Sequence, residues 1–294
     1  MSSQTGTLLQ AMPQRSRPRA FRLDLRRHSL LWVGALLVAL LVVLAIFAPA
    51  LAPNSPFTIG LGASMAPPSA DLIMGTDKLG RDLFSRIIFG ARTTLLVSLP
   101  SIALAVLVGI LLGLAAGYFG GRTDQTIMRV LDVFLAFPGL LLAIAVVAVL
   151  GPNIQNLIIT IAILYTPRMA RIVRGPVLSV KELEFISAAR VSGAGNWRII
   201  RRHLLPNVFS PVIVDATLSS SQAIITESAL AYLGLGAPPP TPSWGEMLSS
   251  SRQFMTSAPW SALFPGVAIV YATTSFIILG NGLRDLLDPR RRGR

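Results

Sequence analysis

The sequence predicts an all-α integral membrane protein with six transmembrane helices. Hydrophobic residues make up 52% of the chain and charged residues only 13%, and the mean hydropathy is +0.64, values that exclude an ordinary soluble domain. Uncharged apolar runs recur along the chain, each close to the length of about 20 residues that a helix needs to cross a bilayer. Basic residues are concentrated in alternate connections between these runs, which is typical of repeated membrane crossing.

The first 28 residues predict a flexible basic tail, because they carry six arginines against the single acid Asp24 and show no apolar periodicity. Residues 29–52 follow as the first transmembrane helix, with an uncharged run at 30–51. A signal peptide is the competing interpretation, with a poor cleavage site at 48–50. The apolar run is too long and the leader too extended for that, so we predict an uncleaved first helix.

Residues 53–92 are too polar to span the membrane, and we expect them to be extracytoplasmic or interfacial. Near their end, Leu83, Phe84, Ile87 and Ile88 recur at helical spacing and predict an amphipathic helix lying at the membrane surface. The alternative is a capped helix start whose charges pair among themselves.

Five more spans are predicted in a core at residues 93–285. They cover residues 95–119, 128–150, 154–173, 207–233 and 260–283. Pro138 lies inside the third span, and the proline-rich connection 234–259 separates the fifth span from the sixth. Residues 286–294 form an arginine-rich tail.

A polar, basic segment at residues 184–207, between the fourth and fifth spans, interrupts the apolar sequence; we call it the knob. In its first half, Phe185, Ile186 and Ala189 fall at helical spacing, and Gly193 is placed to end this helix with a left-handed cap. A solvated linker between two membrane helices is the alternative interpretation.

The second half of the knob predicts another short helix. Asn196 is expected to cap it, and Trp197, Ile200 and Leu204 are expected to share one of its faces. Pro206 is expected to end it and to open the next helix. Two short helices that meet at a glycine would make a compact unit.

Charge orients the predicted helices. With the N-terminus inside, 21 of the 26 Lys and Arg residues fall on one side of the membrane and 5 on the other. The positive-inside rule then places both termini and the knob in the cytoplasm. The net charge of +13 is explained by this topology and by contact with anionic lipid of the bilayer, so nucleic acid is not an expected partner.

No catalytic or metal site is expected in the chain. It has no cysteine, which excludes disulfides, thiol catalysis and the usual zinc sites. Its only lysines, Lys78 and Lys181, lie outside any phosphate-binding loop, so it is not a P-loop ATPase. The two histidines, His28 and His203, are far apart in the sequence and form no convincing dyad.

Three acids fall inside the predicted spans, where a carboxylate is costly and faces a cavity or a partner. For Glu227, and for Asp215, the two interpretations are a place along a passage through the bundle or a polar bond to a neighbouring helix, and the bond is favoured for Glu227. Asp132 and Asp215 also lie near span ends, where snorkelling or capping would account for them.

The knob resembles the EAA loop of ABC-importer permeases, whose pattern is Glu-Ala-Ala, three residues, Gly, nine residues, then Ile-x-Leu-Pro. The residues at matching positions are Ala188, Ala189, Gly193, Leu205 and Pro206. Ser187 replaces the glutamate of the pattern, and Glu184 is the candidate to take over its contact. His203 replaces the isoleucine, and the ending His-x-Leu-Pro-Asn is similar to the peptide and nickel branch of that family.

Three further segments resemble the same branch. Residues 75–92 contain Gly-Thr-Asp-x-x-Gly-Arg-Asp followed by Ser-Arg and Gly-Ala-Arg, which is similar to the segment before the second helix of peptide and nickel permeases. Residues 233–236 and 280–290 are similar to the exits of the fifth and last helices, with Asn281 in place of an acid. These motifs leave the N-terminal tail and the first helix without a distinctive match.

The resemblance to ABC-importer permeases of the dipeptide/oligopeptide/nickel type implies a transport subunit of the bacterial inner membrane that is not itself an enzyme. It implies alternating access, driven by two separate ATP-binding cassette subunits that hold ATP and Mg²⁺, with no cofactor in this chain. A second homologous permease chain, expected to differ from this one, would complete the passage. An extracytoplasmic binding protein would deliver the cargo to segments 53–92 and 234–259.

By this resemblance the coupling loop spans residues 182–206. The residues expected to couple it to the ATPase are Glu184, Phe185, Ser187, Ala188, Ala189, Gly193, Trp197, His203 and Pro206. Peptides are the expected cargo, and nickel chelates, opines and glutathione-like solutes are alternatives. A secondary transporter or channel would need its own coupling-ion site, and an intramembrane enzyme would need a nucleophile–base pair; neither is evident.

Overall fold

The structure of the protein, a computed structural model, describes residues 29–287. The predicted basic tail at 1–28 and most of the predicted tail at 286–294 lie outside the described residues. Within residues 29–287 the secondary structure is helical and there is no β-strand beyond one isolated bridge between Thr76 and Asp82. The all-helical fold predicted from composition is therefore confirmed for this part of the chain.

Eleven α-helices follow one another in the described part of the chain, joined at one point by a π turn and at another by a 3₁₀ turn. They are α1 (Ser29–Ile46), α2 (Ala48–Leu51), α3 (Leu83–Phe119), α4 (Gly121–Ala136), α5 (Gly139–Leu150), α6 (Ile154–Lys181), α7 (Glu184–Val191), α8 (Asn196–Ile199), the π turn (Ile200–Leu204), α9 (Leu205–Tyr232), α10 (Trp244–Ser251), the 3₁₀ turn (Arg252–Phe254) and α11 (Trp260–Leu287).

Five segments of the described chain are long and apolar enough to cross a membrane, and a bent pair of helices gives a sixth candidate. The five are α1, α3, α6, α11 and the segment Asn196–Tyr232, which combines α8, the π turn and α9. The bent pair is α4 with α5, which meet at 94°. The described chain therefore has five continuous candidates, and it reaches the predicted six only if the bent pair counts as one span.

The predicted third span at residues 128–150 is wrong as a single straight helix. The break between α4 and α5 falls at Phe137 and Pro138, and Phe137 has the extended backbone angles φ −88° and ψ 141°. A proline lacks the N–H that would continue the helix, and its ring disfavours a helical conformation in the residue before it. The chain therefore turns sharply where the sequence pattern shows a continuous apolar run.

The predicted surface-lying helix before the second span is also wrong, because α3 runs without interruption from Leu83 to Phe119. Leu83 and Ile88 are buried against the rest of the bundle and do not face a membrane surface. Asp82 caps the helix, since its carboxylate accepts hydrogen bonds from the backbone N–H groups of Phe84 and Ser85. At 1.5 Å per residue, α3 is roughly 55 Å long.

Three glycines let α3 lie directly against α6. A Cβ built on Gly113 would lie 2.5 Å from the carbonyl oxygen of Ala170, and one built on Gly117 would lie 2.6 Å from the side chain of Val177. Gly109 meets α6 in the same way one turn earlier. A small residue at every fourth position is the pattern by which membrane helices approach closely, so this pair forms the rigid centre of the bundle.

α9 lies among α3, α6, α10 and α11. The knob joins the end of α6 to the start of α9, so we call this side of the bundle the knob end. The segments 53–82 and 234–259 lie at the other end of α3 and α9, which we call the loop end. Helix α6 continues eight residues beyond its predicted span, to Lys181, and α11 continues four residues beyond its own, to Leu287.

Candidate functional site

The knob is attached to the bundle through a small apolar core. Ile186 of α7, Ile199 of α8 and Leu204 of the π turn are fully buried. They lie in one cluster with residues from the ends of the neighbouring long helices: Leu114, Tyr118, Val173, Val177, Val208 and Val212. Because these contacts come from α3, α6 and α9, the knob is held against three long helices at once.

The first short helix of the knob ends as the sequence predicts. Gly193 has a φ of +80°, a conformation that glycine adopts without the steric cost of a Cβ. The N–H of Ala194 donates to the carbonyl of Ala189, and the N–H of Gly193 donates to that of Arg190, both at 3.0 Å. This pair of hydrogen bonds is the Schellman motif. The predicted left-handed cap at Gly193 is therefore confirmed.

The predicted role of Asn196 as a helix cap is wrong. Gly195 occupies the N-cap position, and Asn196 is the first residue of α8. The side-chain oxygen of Asn196 instead accepts a hydrogen bond of 2.8 Å from the hydroxyl of Tyr118, at the end of α3. The guanidinium of Arg190 lies 5.7 Å from the centre of the same tyrosine ring, so Tyr118 contacts both short helices of the knob.

Pro206 opens α9 as predicted, but it does not end the preceding helix. The helical path continues from α8 through the π turn into α9, and the N–H of Leu205 bonds to the carbonyl of Ile200. Proline cannot donate to the carbonyl four residues earlier and its ring collides with that carbonyl in a regular helix. The wider i→i+5 turn relieves this conflict, so the chain stays helical.

The π turn also changes which residues share a face. Trp197 and Leu204 are seven residues apart and would align in a regular α-helix, as predicted. The wider turn adds a residue to the repeat, so Leu204 is buried whereas Trp197 is 72% exposed. Ile199 takes the inward position instead. The predicted common face of Trp197, Ile200 and Leu204 is therefore wrong.

Large apolar side chains of the knob face outward. Val191 is 91% exposed, and Phe185 and Trp197 are also exposed, as is Leu183 just before α7. The ring of Phe185 lies 5.7 Å from that of His203. Several large apolar side chains exposed on one short polar connection are typical of a site that binds another protein.

The nine residues that the sequence analysis assigns to coupling all reach the surface of the knob in the isolated chain. Seven are exposed: Glu184, Phe185, Ser187, Ala188, Gly193, Trp197 and Pro206. Ala189 and His203 are partly exposed. The structure therefore brings these residues to one side of the bundle, and none of them is required to fill its core.

At the loop end, the motif at residues 75–82 folds into a tight turn around one carboxylate. The Asp77 carboxylate accepts hydrogen bonds from the backbone N–H groups of Leu79, at 2.8 Å, and Arg81, at 3.0 Å. It also accepts a bond of 2.6 Å from Nε of Arg81. Gly75 and Gly80 adopt positive φ angles at the corners of the turn. The motif is thus a folding element for this segment.

Arg86 joins the turn to the rest of the loop end. Its guanidinium is buried and donates a bond of 3.0 Å to the carboxylate of Glu246 in α10, and a second of 3.1 Å to the carbonyl of Pro56. Its Nε lies 3.4 Å from the carboxylate of Asp77. Glu246 could not be found from the sequence, because no local pattern links α10 to α3. The structure therefore confirms the alternative interpretation of this segment, a capped helix start whose charges pair among themselves.

Gly90 of α3 provides the seat for Trp244 of α10. A Cβ on Gly90 would lie 2.7 Å from the indole ring, so only glycine lets the ring approach. The indole N–H of Trp244 donates a bond of 2.9 Å to the carbonyl of Ile87. This contact fixes α10, and with it the 234–259 connection, against the outer end of α3.

Glu227 is fully buried and bridges three parts of the chain. Its carboxylate accepts hydrogen bonds from the hydroxyls of Thr94 in α3, at 3.2 Å, and Ser243 before α10, at 3.1 Å. Ser228 contributes a third, at 3.4 Å. The structure therefore places Glu227 in contacts between neighbouring elements.

Acids near the knob end pair with an arginine ladder on α6. The Asp215 carboxylate accepts a bond of 2.7 Å from Arg168 and another of 3.1 Å from Ser219. The other two pairs, at 2.5 Å and 2.6 Å, are Arg171 with Asp132 and Arg174 with Asp124. Neither Asp132 nor Asp215 caps a helix end; both form ion pairs with α6, so the interhelix bond is the interpretation of Asp215 that is confirmed. The arginines on successive turns of α6 were the feature of the sequence from which these ion pairs could have been predicted.

Acids and histidines of residues 29–287 do not form a metal-binding group of three or more side chains.

Two sequence families match this chain. Residues 109–293 match the inner membrane component of binding-protein-dependent transport systems. Residues 18–68 match the N-terminal transmembrane domain of oligopeptide transport permease C. The second match includes the first helix, which the motifs considered above had left without a signature.

Curated relatives cover nearly the whole chain. It is 47% identical to the dipeptide transport system permease protein DppC of Alkalihalophilus pseudofirmus, over 92% of this chain and 88% of that protein. It is 44% identical to the di/tripeptide transport system permease protein DppC of Pseudomonas aeruginosa, over 87% of each chain. It is 43% identical to the glutathione transport system permease protein GsiD of Pectobacterium atrosepticum, over 92% and 90%.

The fold is similar to that of a solved ABC transporter. An inward-facing structure of the MetNI methionine ABC transporter superposes with a TM-score of 0.56, at 17% sequence identity, covering 69% of this chain and 96% of the other. Taken with the family matches and the near-complete coverage by permease relatives, the chain belongs to the family of inner membrane components of binding-protein-dependent transport systems, as a membrane permease subunit of an ABC importer.

Proposed function

We propose that this chain forms half of the membrane passage of an importer for short peptides. The observation that carries the proposal is the 47% identity to a dipeptide permease across nearly the whole length of both chains. A second homologous permease chain would form the other half. Two ATP-binding cassette subunits, holding ATP and Mg²⁺, would drive the cycle, and an extracytoplasmic binding protein would deliver the peptide.

The knob is the proposed docking element for an ATPase subunit. Phe185, Val191 and Trp197 expose apolar area that nothing in the described chain covers, and burying such area provides most of the free energy of protein association. The knob is also firmly attached through Ile186 and Tyr118 to the bundle. A movement of the ATPase would therefore be transmitted to α3, α6 and α9.

The loop end is the proposed docking face for the binding protein. Arg86 and Trp244 hold the 53–92 and 234–259 segments together at the outer end of α3. A docking protein that contacts both segments would therefore act on the same long helix that reaches the knob. This arrangement supports alternating access, in which the two ends open in turn.

The proposed orientation places both termini and the knob in the cytoplasm and the loop end outside. It is supported by the distribution of basic residues, 21 on one side and 5 on the other. This orientation puts the knob on the side where ATP is available. The coupling loop then lies between the bundle and the ATPase.

Reconstitution tests the proposed function. The chain would be assembled with its permease partner and ATPase in proteoliposomes. Binding protein and radiolabelled dialanine would be added on the side of the membrane that the loop end faces. We expect uptake that requires both ATP and the binding protein, and no ATP hydrolysis by this chain alone, since it has no phosphate-binding loop. Uptake driven by an ion gradient without ATP would favour a secondary transporter and would refute the proposal.

Glutathione is a second candidate cargo, because relatives named for glutathione transport are 43% and 45% identical to this chain. A competition assay of dialanine uptake decides between glutathione and short peptides as the cargo. Unlabelled glutathione that suppresses dialanine uptake at equal concentration would favour the glutathione assignment, whereas suppression by unrelated dipeptides alone would favour general peptide import. Nickel chelates and opines would be compared in the same assay.

A further inference from the structure

A line of polar side chains follows one face of α9. Asp215, Ser219, Gln222 and Thr226 are spaced by four, three and four residues, which places them on a single side of a helix. The span that contains them is otherwise apolar enough to cross a membrane. We call these four residues the polar stripe.

Helix α6 contributes partners at both ends of the polar stripe. The hydroxyl of Tyr165 lies 3.2 Å from the hydroxyl of Thr226, and Arg168 donates to Asp215 at 2.7 Å. Tyr165 and Arg168 are three residues apart on α6 and so lie on one side of it. The polar surface is therefore shared by two helices that run in opposite directions.

Gln222 lies between these two contacts and is different from its neighbours. Its side chain is exposed in the isolated chain. No hydrogen bond joins its side-chain amide to any other group within residues 29–287, although Thr226 donates to its backbone carbonyl. It lies roughly 25 Å along α9 at 1.5 Å per residue, well inside the span.

An unpaired amide in contact with lipid tails is unfavourable, and polar side chains inside spans face the interior of a bundle or a water-filled cavity. The interior of this chain does not receive Gln222, since the side chain is exposed. The polar surroundings that remain for it are an aqueous space at the surface of the chain or the contact with the second permease chain, and thiol labelling separates the two. Asp215 and Thr226 are already paired, so Gln222 is the group that remains available to a ligand.

We propose that Gln222, the exposed member of the polar stripe, lines the passage for the cargo and that its amide contacts the main chain of a passing peptide. The inference rests on the proposed function. A glutamine side chain offers two donors and an acceptor, which match the carbonyl and N–H of a peptide bond whatever the peptide's side chains are.

Cysteine labelling tests the location of Gln222, because the chain has no cysteine of its own. The Gln222→Cys variant, in the assembled complex, would be treated with a membrane-impermeant methanethiosulfonate reagent with and without ATP. We expect the thiol to react, at rates that differ between the two nucleotide states. The matched control is Leu36→Cys in α1, at a position that is 70% exposed on an outer helix. That thiol should react at least about tenfold more slowly, since apolar surroundings suppress the thiolate.

A functional measurement complements the labelling. Gln222→Leu keeps the size of the side chain and removes its amide, so dialanine uptake should fall several-fold while ATP hydrolysis stimulated by the binding protein persists. Gln222→Asn keeps an amide and should retain more uptake. A merely structural role would instead lower assembly of the complex in both variants.

Two results would overturn the inference. One is a Gln222→Cys thiol that stays unreactive in both nucleotide states, which would mean that lipid or the second permease chain covers this position. The other is Gln222→Leu uptake equal to that of the unsubstituted chain. If the unsubstituted complex imports no dialanine, the peptide assignment fails, and the labelling arm still decides whether Gln222 faces an aqueous passage.

Discussion

The guanidinium of Arg86 lies 3.0 Å from the carboxylate of Glu246, a residue 160 positions further along the chain. This ion pair joins the start of α3 to α10, and Asp77 lies 3.4 Å from the other side of the same guanidinium. Removing one partner of a buried ion pair leaves the other charge without compensation. Arg86 is therefore the residue on which the arrangement of the loop end depends.

Replacing Arg86 tests this dependence. Arg86→Met should destabilise the loop end by about 3–5 kcal/mol, because Asp77 and Glu246 both lose a partner, and it should abolish stimulation of ATP hydrolysis by the binding protein. Thermal unfolding in detergent and stimulated ATPase activity would be measured together. Arg92→Met is the matched control, since Arg92 is exposed on the same helix and its loss should change neither quantity. Equal effects of both variants would contradict the assignment.

Close packing of α3 on α6 predicts a strong size limit at Gly113. Its Cβ would lie 2.5 Å from the carbonyl oxygen of Ala170, so Gly113→Val must push the helices apart. Overpacking costs about 1–3 kcal/mol even where a core can adjust, and here the obstacle is backbone. The yield and melting temperature of the purified chain should fall. Gly175→Val, at a position on α6 with no atom near the added Cβ, should be tolerated better.

Local rules explain which of these features the sequence could predict. The left-handed cap at Gly193 follows from glycine's conformational freedom, and the helical class follows from composition. The proline at the break is visible in the sequence, but no local pattern predicts the 94° angle between α4 and α5. The Arg86–Glu246 pair could not be predicted, because long-range pairing leaves no local pattern.

Removing the hydroxyl of Tyr118 should impair the coupling of ATP hydrolysis to transport without preventing assembly of the complex. Tyr118→Phe keeps the ring under Arg190 and removes the hydroxyl that bonds to Asn196, a loss of about 1 kcal/mol. The knob should then follow the bundle less closely, so more ATP should be hydrolysed for each peptide imported. Tyr271→Phe is the control, because it removes a comparable bond, to the carbonyl of Leu37, far from the knob. If both variants hydrolyse more ATP for each peptide imported, the coupling role assigned to Tyr118 is contradicted.

The proposed orientation predicts which positions can be labelled from outside a cell. Single cysteines at Ala66 and Ser249 should react with an impermeant thiol reagent in whole cells, whereas a single cysteine at Gly193 should react only after the membrane is opened. The same protection is expected at Arg17 and Arg291, which lie outside the described residues. Reaction at Gly193 together with protection at Ser249 would reverse the proposed topology.

The knob gives the sharpest test of coupling. A Cβ added at Gly193 meets no atom of residues 29–287 within 4 Å beyond its chain neighbours, so within this part of the chain a side chain there is limited by backbone strain and by a partner protein. Gly193→Arg and Ala189→Arg should therefore insert normally, because the spans are unchanged, and dialanine uptake should fall sharply. Either basal ATP hydrolysis should continue without uptake or the ATPase should dissociate.

Two controls separate strain and bulk in this test. Gly193→Asn tolerates the left-handed conformation better than other residues and should keep more uptake than Gly193→Arg, whereas Gly193→Ala adds strain with little bulk. Ala70→Arg places the same charge at the exposed loop end and should leave ATPase attachment intact. Uptake in vesicles and pull-down of the ATPase would be measured for each variant. If the knob is only a solvated linker, Gly193→Arg and Ala189→Arg will transport at the unsubstituted rate, and the coupling role must then be assigned to another surface.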